Sequence, residues 1–214
     1  MVSAYNVSTQ FDHCVFKSSH SDDGLNVKNA STTLNHCLFE ANSADGCDID
    51  FSLARVKNCR FVNNGNDGLD FGSASAEVVN CSFESNGDKG ISMGEGSHCL
   101  ISNCLFDANM QGVAVKDSSR PLIVLSVFKN NRVAVNAYRK KYEFSGGSPR
   151  LSHCLFVNNR EMLKQDTFSK IINHVSFTGR QKVTLSKKEL YRDRWLRQVP
   201  ELFVDQEMVL GIVK

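Results

Sequence analysis

One word, repeated eight times, constrains this chain more than any other feature. It reads His13-Cys14-Val15-Phe16, then His36-Cys37-Leu38-Phe39, Asn58-Cys59-Arg60-Phe61, Asn80-Cys81-Ser82-Phe83 and Asn103-Cys104-Leu105-Phe106. Ser126-Val127-Phe128, His153-Cys154-Leu155-Phe156 and His174-Val175-Ser176-Phe177 complete the series. The phenylalanines step by 23, 22, 22, 23, 22, 28 and 21 residues. Self-similarity at such a period, without helical patterning, describes a solenoid whose units bury their apolar faces against one another. The step of 28 marks one longer loop, around Tyr138 to Ser148.

Each unit resolves into three short strands. The first carries Gly-apolar-x-apolar: Gly24-Leu25-Asn26-Val27, Gly46-Cys47-Asp48-Ile49, Gly68-Leu69-Asp70-Phe71, Gly90-Ile91-Ser92-Met93 and Gly112-Val113-Ala114-Val115. Period-two alternation marks a half-buried strand. The second strand supplies an apolar column, Leu34, Val56, Val78, Ile101, Val124, Leu151 and Ile172, and the third supplies the Cys and Phe columns. Three positions separate the apolar column from the cysteines, so both face inward only if the chain bends between them. The bend falls on His13, His36, Asn58, Asn80, Asn103, Ser126, His153 and His174, and Asn suits the left-handed backbone such a bend needs. A second set, Asn42, Asn64, Asn86, Asn109, Asn131 and Asn159, marks the turn into the next unit. The expected fold is all-β: a right-handed, single-stranded parallel β-helix of about seven coils of 22–23 residues over 1–178. Residues 179–214 read as a C-terminal capping unit, with an amphipathic helix over Lys187–Arg197 stopped by Pro200.

This register removes two tempting chemistries. Four of the six histidines stand in the bend column, leaving His20 and His98 unassigned. Six of the eight cysteines form one column spaced by a full coil, Cys47 and Cys99 sit in or beside other strands, and no CxxC occurs. Stacked thiols with parallel Cβ vectors suit a disulfide poorly, so they read as small buried hydrophobes that lean mildly toward a reducing compartment. Lys plus Arg is 25 against 23 Asp plus Glu, giving no steering toward nucleic acid. No apolar run approaches the ~18 residues that insertion into a membrane needs. The opening MVSAYNVSTQ lacks the pattern of a signal peptide and runs straight into a coil, so the chain reads as a piece of a longer protein.

The Asn-Cys-x-Phe-x-x-Asn and Asp-Gly-Leu-Asp-Phe words, over residues 11 to about 178, resemble the pectate-lyase-like family of right-handed β-helices, in its carbohydrate-associated subclass. A narrower likeness runs through Gly87-Asp88-Lys89-Gly90-Ile91-Ser92-Met93-Gly94-Glu95, Val115-Lys116-Asp117-Ser118 and Tyr138-Arg139-Lys140-Lys141, which look like β-helix regions of bacterial envelope proteins, some alongside a CotH-type kinase-like domain. The resemblance implies an envelope or extracellular setting and partners that are polysaccharides or neighbouring domains of a longer parent chain. It also implies sites on the outer face of the first strand and its flanking turns.

The polar chemistry falls in that region. Before each Gly stand Asp23, Asp45, Asp67, Lys89 and Gln111; two residues after it, facing outward, stand Asn26, Asp48, Asp70, Ser92 and Ala114. Asp45, Asp48, Asp67 and Asp70 therefore cluster on adjacent coils, where like charges repel unless compensated. Backbone N–H groups at an Asp-Gly turn, a calcium ion held by these four residues, or one carboxyl kept protonated as a general acid would each compensate. The turn is the favoured reading for Asp23, Asp45 and Asp67. Asp48 and Asp70, mid-strand and pointing to solvent, have no local backbone role, so site and plain solvation stand level. Lys89 and Lys116 join them as catalytic candidates, with Asp45, Asp67, Glu95, Asp117 and Tyr138 as substrate-binding candidates. The polygalacturonase words Asn-Thr-Asp, Gly-His-Gly and Arg-Ile-Lys are absent, and Tyr138, Tyr142 and Trp195 are the candidate sugar-stacking rings. A β-helix module presenting an acidic strip for polysaccharide or protein binding is the favoured function. A lyase or glycoside hydrolase for acidic glycans, calcium-assisted, is the alternative.

Overall fold

The computed structural model describes residues 1–179, 183–185 and 208–210. Eight coils form, and the seven phenylalanine steps are the spacings between them. The first-sheet strands are Val2–Tyr5, Leu25–Lys28, Cys47–Asp50, Leu69–Gly72, Lys89–Gly94, Gln111–Lys116, Val133–Tyr138 and Glu161–Gln165, each parallel to its neighbours in that order. A second sheet joins the remaining two strands of each coil, from Thr9–Asp12 and Val15–Lys17 to the merged strand Arg150–Val157 and the final Ile172–Thr178. No helix forms among the described residues. The helix expected over Lys187–Arg197, with Trp195, lies outside them.

The core follows from the repeat. Seven phenylalanines from Phe16 to Phe156 stack with ring centroids 4.7–5.2 Å apart and planes within 11° of parallel, because the spacing of parallel strands fixes that of the rings. Beside them runs a buried asparagine ladder. Asn64 Nδ2 donates to Asn86 Oδ1 at 2.9 Å and to the Phe39 carbonyl at 3.2 Å, and the same pattern recurs at Asn42, Asn86, Asn109 and Asn131. Coils pack so closely beside the ladder that a Cβ at Gly46 would lie 2.5 Å from the Gly68 carbonyl oxygen, which keeps the column glycine from Gly24 to Gly112, with Ala134 following in the next coil.

The bend column is left-handed as expected, with φ of 50–56° at His13, His36, Asn58, Asn80, Asn103 and His153. Two members of the column are corrected. In the sixth coil Leu125 (φ 53°) makes the bend and Ser126 takes the cysteine position. There its Oγ accepts the Cys104 N–H at 3.2 Å, as the Cys81 thiol accepts the Cys59 N–H in an earlier coil. Ile123 rather than Val124 is then the inward apolar residue, pairing with Ile101 and Leu151. Val124 is still buried, in a separate cluster with Leu125, Val127, Leu155 and Val157. His174 makes no such bend: the strand register slips between Leu151–Asn173 and Ser152–Val175, so an extra residue is absorbed within the strand. All eight thiols are free, and seven are buried.

Candidate outer-face site on the first sheet

The outward residues of the first sheet stand in one row: Asn26, Asp48, Asp70, Ser92, Ala114 and Asn136 are successive partners in register. One position before each strand's glycine runs a ladder of side chains onto backbone. Asp23 Oδ1 accepts the Asp45 N–H at 3.0 Å, Asp45 Oδ1 the Asp67 N–H at 2.8 Å, and Asp67 Oδ1 the Lys89 N–H at 3.1 Å. These carboxyls are buried and tie coil to coil, which gives the turn reading its geometry and extends it beyond a local turn. Lys89 closes the series. Its Nζ lies 3.2 Å from Asp67 Oδ1 and also contacts Asp88. Burial alone would lower the Lys89 ammonium, but Asp67 and Asp88 together raise it. A lysine held charged in this way is a poor general base.

Asp48 and Asp70 are half-buried rather than freely solvated. Burial, then the charges of Asp50, Asp70, Asp23 and Asp45, push the Asp48 carboxyl up to about 8. Asn26 Nδ2 donates to Asp48 Oδ2 at 3.0 Å. Burial also lifts Asp45 to about 7, against the pull of the Asp67 N–H and with the push of the Asp67 and Asp70 charges. Asp70 Oδ1 is buried and has no hydrogen-bond partner. Oxygens of Asp45, Asp67 and Asp70 lie within 4.8 Å of one another. This is an all-oxygen donor set of the kind a hard cation takes, with Asp48 in register beside it.

The strip widens at the end of each strand. A Cβ at Gly72 would fall 2.2 Å from Asp50 Oδ1 and 3.2 Å from Glu95 Oε2, so two carboxylates meet over the space that the glycine leaves open. Burial raises Asp50, with Lys28 opposing and Glu95 reinforcing the shift. Glu95 pairs with Lys141, which brings the long loop onto the strip. Lys116 is buried and donates to Ser92 Oγ at 2.7 Å, and Tyr138 is its strand partner. Asp117, by contrast, is turned away into structure: its Oδ1 accepts the Lys140 and Lys141 N–H groups at 2.7 and 2.8 Å. Asp45, Asp48, Asp67, Asp70 and Lys89 are thus brought together, Glu95, Lys116 and Tyr138 extend the row, and Asp117 anchors the loop.

Sequence reasoning missed Phe51. It follows Asp50 in a left-handed bend (φ 48°), is 53% exposed, and carries Lys28 Nζ 5.5 Å above its ring. It lines a shallow groove with Asn29, Ser31, Leu53 and Ser73. Its distance from the Phe column, ten residues before Phe61, was the available signal. Tyr142 is exposed as expected, and Arg139 stacks on the exposed Phe168.

This geometry has a family. The model of the right-handed beta helix region matches residues 1–146, and the chain belongs to that family. Among solved structures it is similar to a double mutant of the periplasmic alginate epimerase AlgG, with a TM-score of 0.66 and 13% identity over 80% of this chain and 51% of that one. It is also similar to pectate lyase Pel9A, with a TM-score of 0.47 and 13% identity over 72% of this chain and 51% of that one. The chain thus spans about half the length of each, and likeness at this identity establishes the fold alone. No curated protein sequence matches the chain.

Proposed function

We propose that this β-helix region binds a polysaccharide along the outer face of its first sheet, from Asp48 to Tyr138. The observation that carries the reading is the pairing of Asp48 and Asp70 at one strand spacing, with Asp48 held up to about 8 and a buried Asp70 oxygen left unpartnered. A carboxyl kept protonated donates to a sugar oxygen, and the unpartnered Asp70 oxygen accepts from a hydroxyl, so the pair offers complementary bonds on one surface. Lys116, buried with its Nζ on Ser92 Oγ, sets a positive charge beneath the strip that favours an acidic sugar. An acidic glycan would also need the carboxylates screened, and calcium held by Asp45, Asp67 and Asp70 would do this. Presenting such a strip within a longer envelope-associated protein is the setting the resemblance implies.

The test is an affinity electrophoresis and calorimetry series against alginate and a neutral glucan, with and without calcium. Retention by alginate that weakens in Asp48→Asn and Lys116→Ala supports the reading, and indifference to both glycans defeats it. The raised Asp48 carboxyl also favours a second reading, in which it is the general acid of a glycan-cleaving enzyme. New unsaturated ends or reducing ends, lost in Asp48→Asn, would replace binding by catalysis.

A further inference from the structure

On the opposite, second-sheet side of the first two coils lies a cluster that the first-sheet face does not use. His13 and His36 occupy the same left-handed bend of adjacent coils, with φ of 51° each. Their rings stack in parallel, centroids 4.6 Å apart and planes 10° from coincident. Asp12 sits between them: its Oδ2 is 2.9 Å from His13 Nδ1 and its Oδ1 is 4.0 Å from His36 Nδ1. Asn35 Nδ2 donates to Asp12 Oδ1 at 2.8 Å and fixes the carboxylate from the neighbouring strand. One ligand atom from each of Asp12, His13 and His36 falls within 4.8 Å of the others.

We propose that Asp12, His13 and His36 form a surface site for a borderline divalent transition ion, with zinc as the representative. Two imidazoles and one carboxylate are the ligands such ions take, and three protein ligands leave a position open. The solenoid supplies the preorganisation: backbone bends one coil apart set both rings on one side of the carboxylate. Ligand–metal distances of ~2.0–2.2 Å set tetrahedral ligand atoms about 3.4 Å apart, so the Asp12–His13 contact at 2.9 Å opens slightly while His36 Nδ1, at 4.0 Å from Asp12, moves in. The side chains of His13 and His36 are 70% and 47% exposed and free to make that adjustment. Zinc needs His13 Nδ1 free of its proton, which moves to Nε2. Calcium is a poor occupant, because imidazole nitrogen is not among its usual donors.

The experiment uses the untagged chain in zinc calorimetry, with His13→Asn and His36→Asn as test variants and His20→Asn as the control. Asparagine is the right replacement because Asn58, Asn80 and Asn103 hold the same bend in later coils, so the variants keep the backbone conformation. Saturable binding of one ion per chain is expected, weakened by about tenfold or more in either test variant and unchanged in the control. No binding overturns the proposal. So does zinc uptake that survives both substitutions, which would place the ion on the Asp45–Asp67–Asp70 carboxylates instead.

Discussion

Asp48 lies beside Asp70 in strand register on the outside of the first sheet, one coil apart. Each residue alternates outward from a strand whose neighbours, Cys47 and Ile49 or Leu69 and Phe71, are fully committed to the core. The register cannot slip to separate the pair without turning those core residues outward. Proximity is therefore imposed by the fold, and it adds to the larger effect of burial: together they hold Asp48 up to about 8, and Asp45 behind it up to about 7.

A pH dependence of stability follows. An unfolded Asp releases its proton near pH 4, whereas folded Asp48 keeps it until about 8. Between these values the native state binds more protons than the unfolded one, so stability falls as pH rises through this window. Asp48→Asn removes this penalty, and the adjacent coil already carries Asn26 in the same row. Thermal melts should show the variant more stable than the parent by about 1–3 kcal/mol at pH 8 and little changed at pH 4. Parallel melting curves for both proteins across that range would contradict the assignment.

The two asparagine columns should respond differently to the same substitution. Asn86 in the buried ladder accepts from the Asn64 amide and backbone, and donates to Asn109 and to the Phe61 carbonyl. Asn86→Ala strands several buried polar groups at once and should cost roughly 3–5 kcal/mol in urea unfolding. Asn103 sits in the exposed bend column and bonds Asn80 at 2.8 Å. Asn103→Ala loses mainly the residue's tolerance of a left-handed backbone, about 1–2 kcal/mol.

Much of this was legible in the sequence because a parallel solenoid repeats one register. Once Phe39, Phe61 and Phe83 align, every Cys and Asn between them acquires a side. What failed to show were departures that keep the period. Leu125 stands 22 residues after Asn103 and Ser126 22 after Cys104, the same step as Phe106 to Phe128, so the spacing puts Ser126 in the cysteine column, and only its residue type, a serine where the other coils carry a thiol, points to the bend column instead. Alternation also says which way a residue points but not how deep it sits. Asp48, Asp70 and Lys116 all point outward, yet neighbouring coils and the loop after Tyr138 bury them to different degrees. The pairing of Glu95 with Lys141 joins residues two coils apart and leaves no local signature.

Calcium should compete with protons for the acidic cluster. Asp45 is held up to about 7, so the cluster made by Asp45, Asp67 and Asp70 is a better ligand set above that pH than below it. Calcium is expected to raise the melting temperature at pH 8, by the linkage between ligand binding and stability, and to do little at pH 5. Asp70→Asn should remove the pH 8 effect. A calcium shift equal at both pH values, or preserved in Asp70→Asn, would assign the ion elsewhere.

Phe51 provides the last prediction, and it separates recognition from stability. Its ring is 53% exposed and makes no part of the phenylalanine stack, but its backbone is left-handed. Alanine would mix two effects, losing the ring and straining the bend. Phe51→Asn removes the ring while keeping a residue that tolerates the conformation. Apolar ring faces contribute to holding flat ligands, and Lys28 over Phe51 adds a positive charge within reach of an acidic sugar. Alginate retention should therefore weaken several-fold in Phe51→Asn, while the melting temperature stays within about 2 °C of the parent. Unchanged retention would confine the glycan to the row from Asp48 to Tyr138 and leave the groove beside Phe51 outside the binding face.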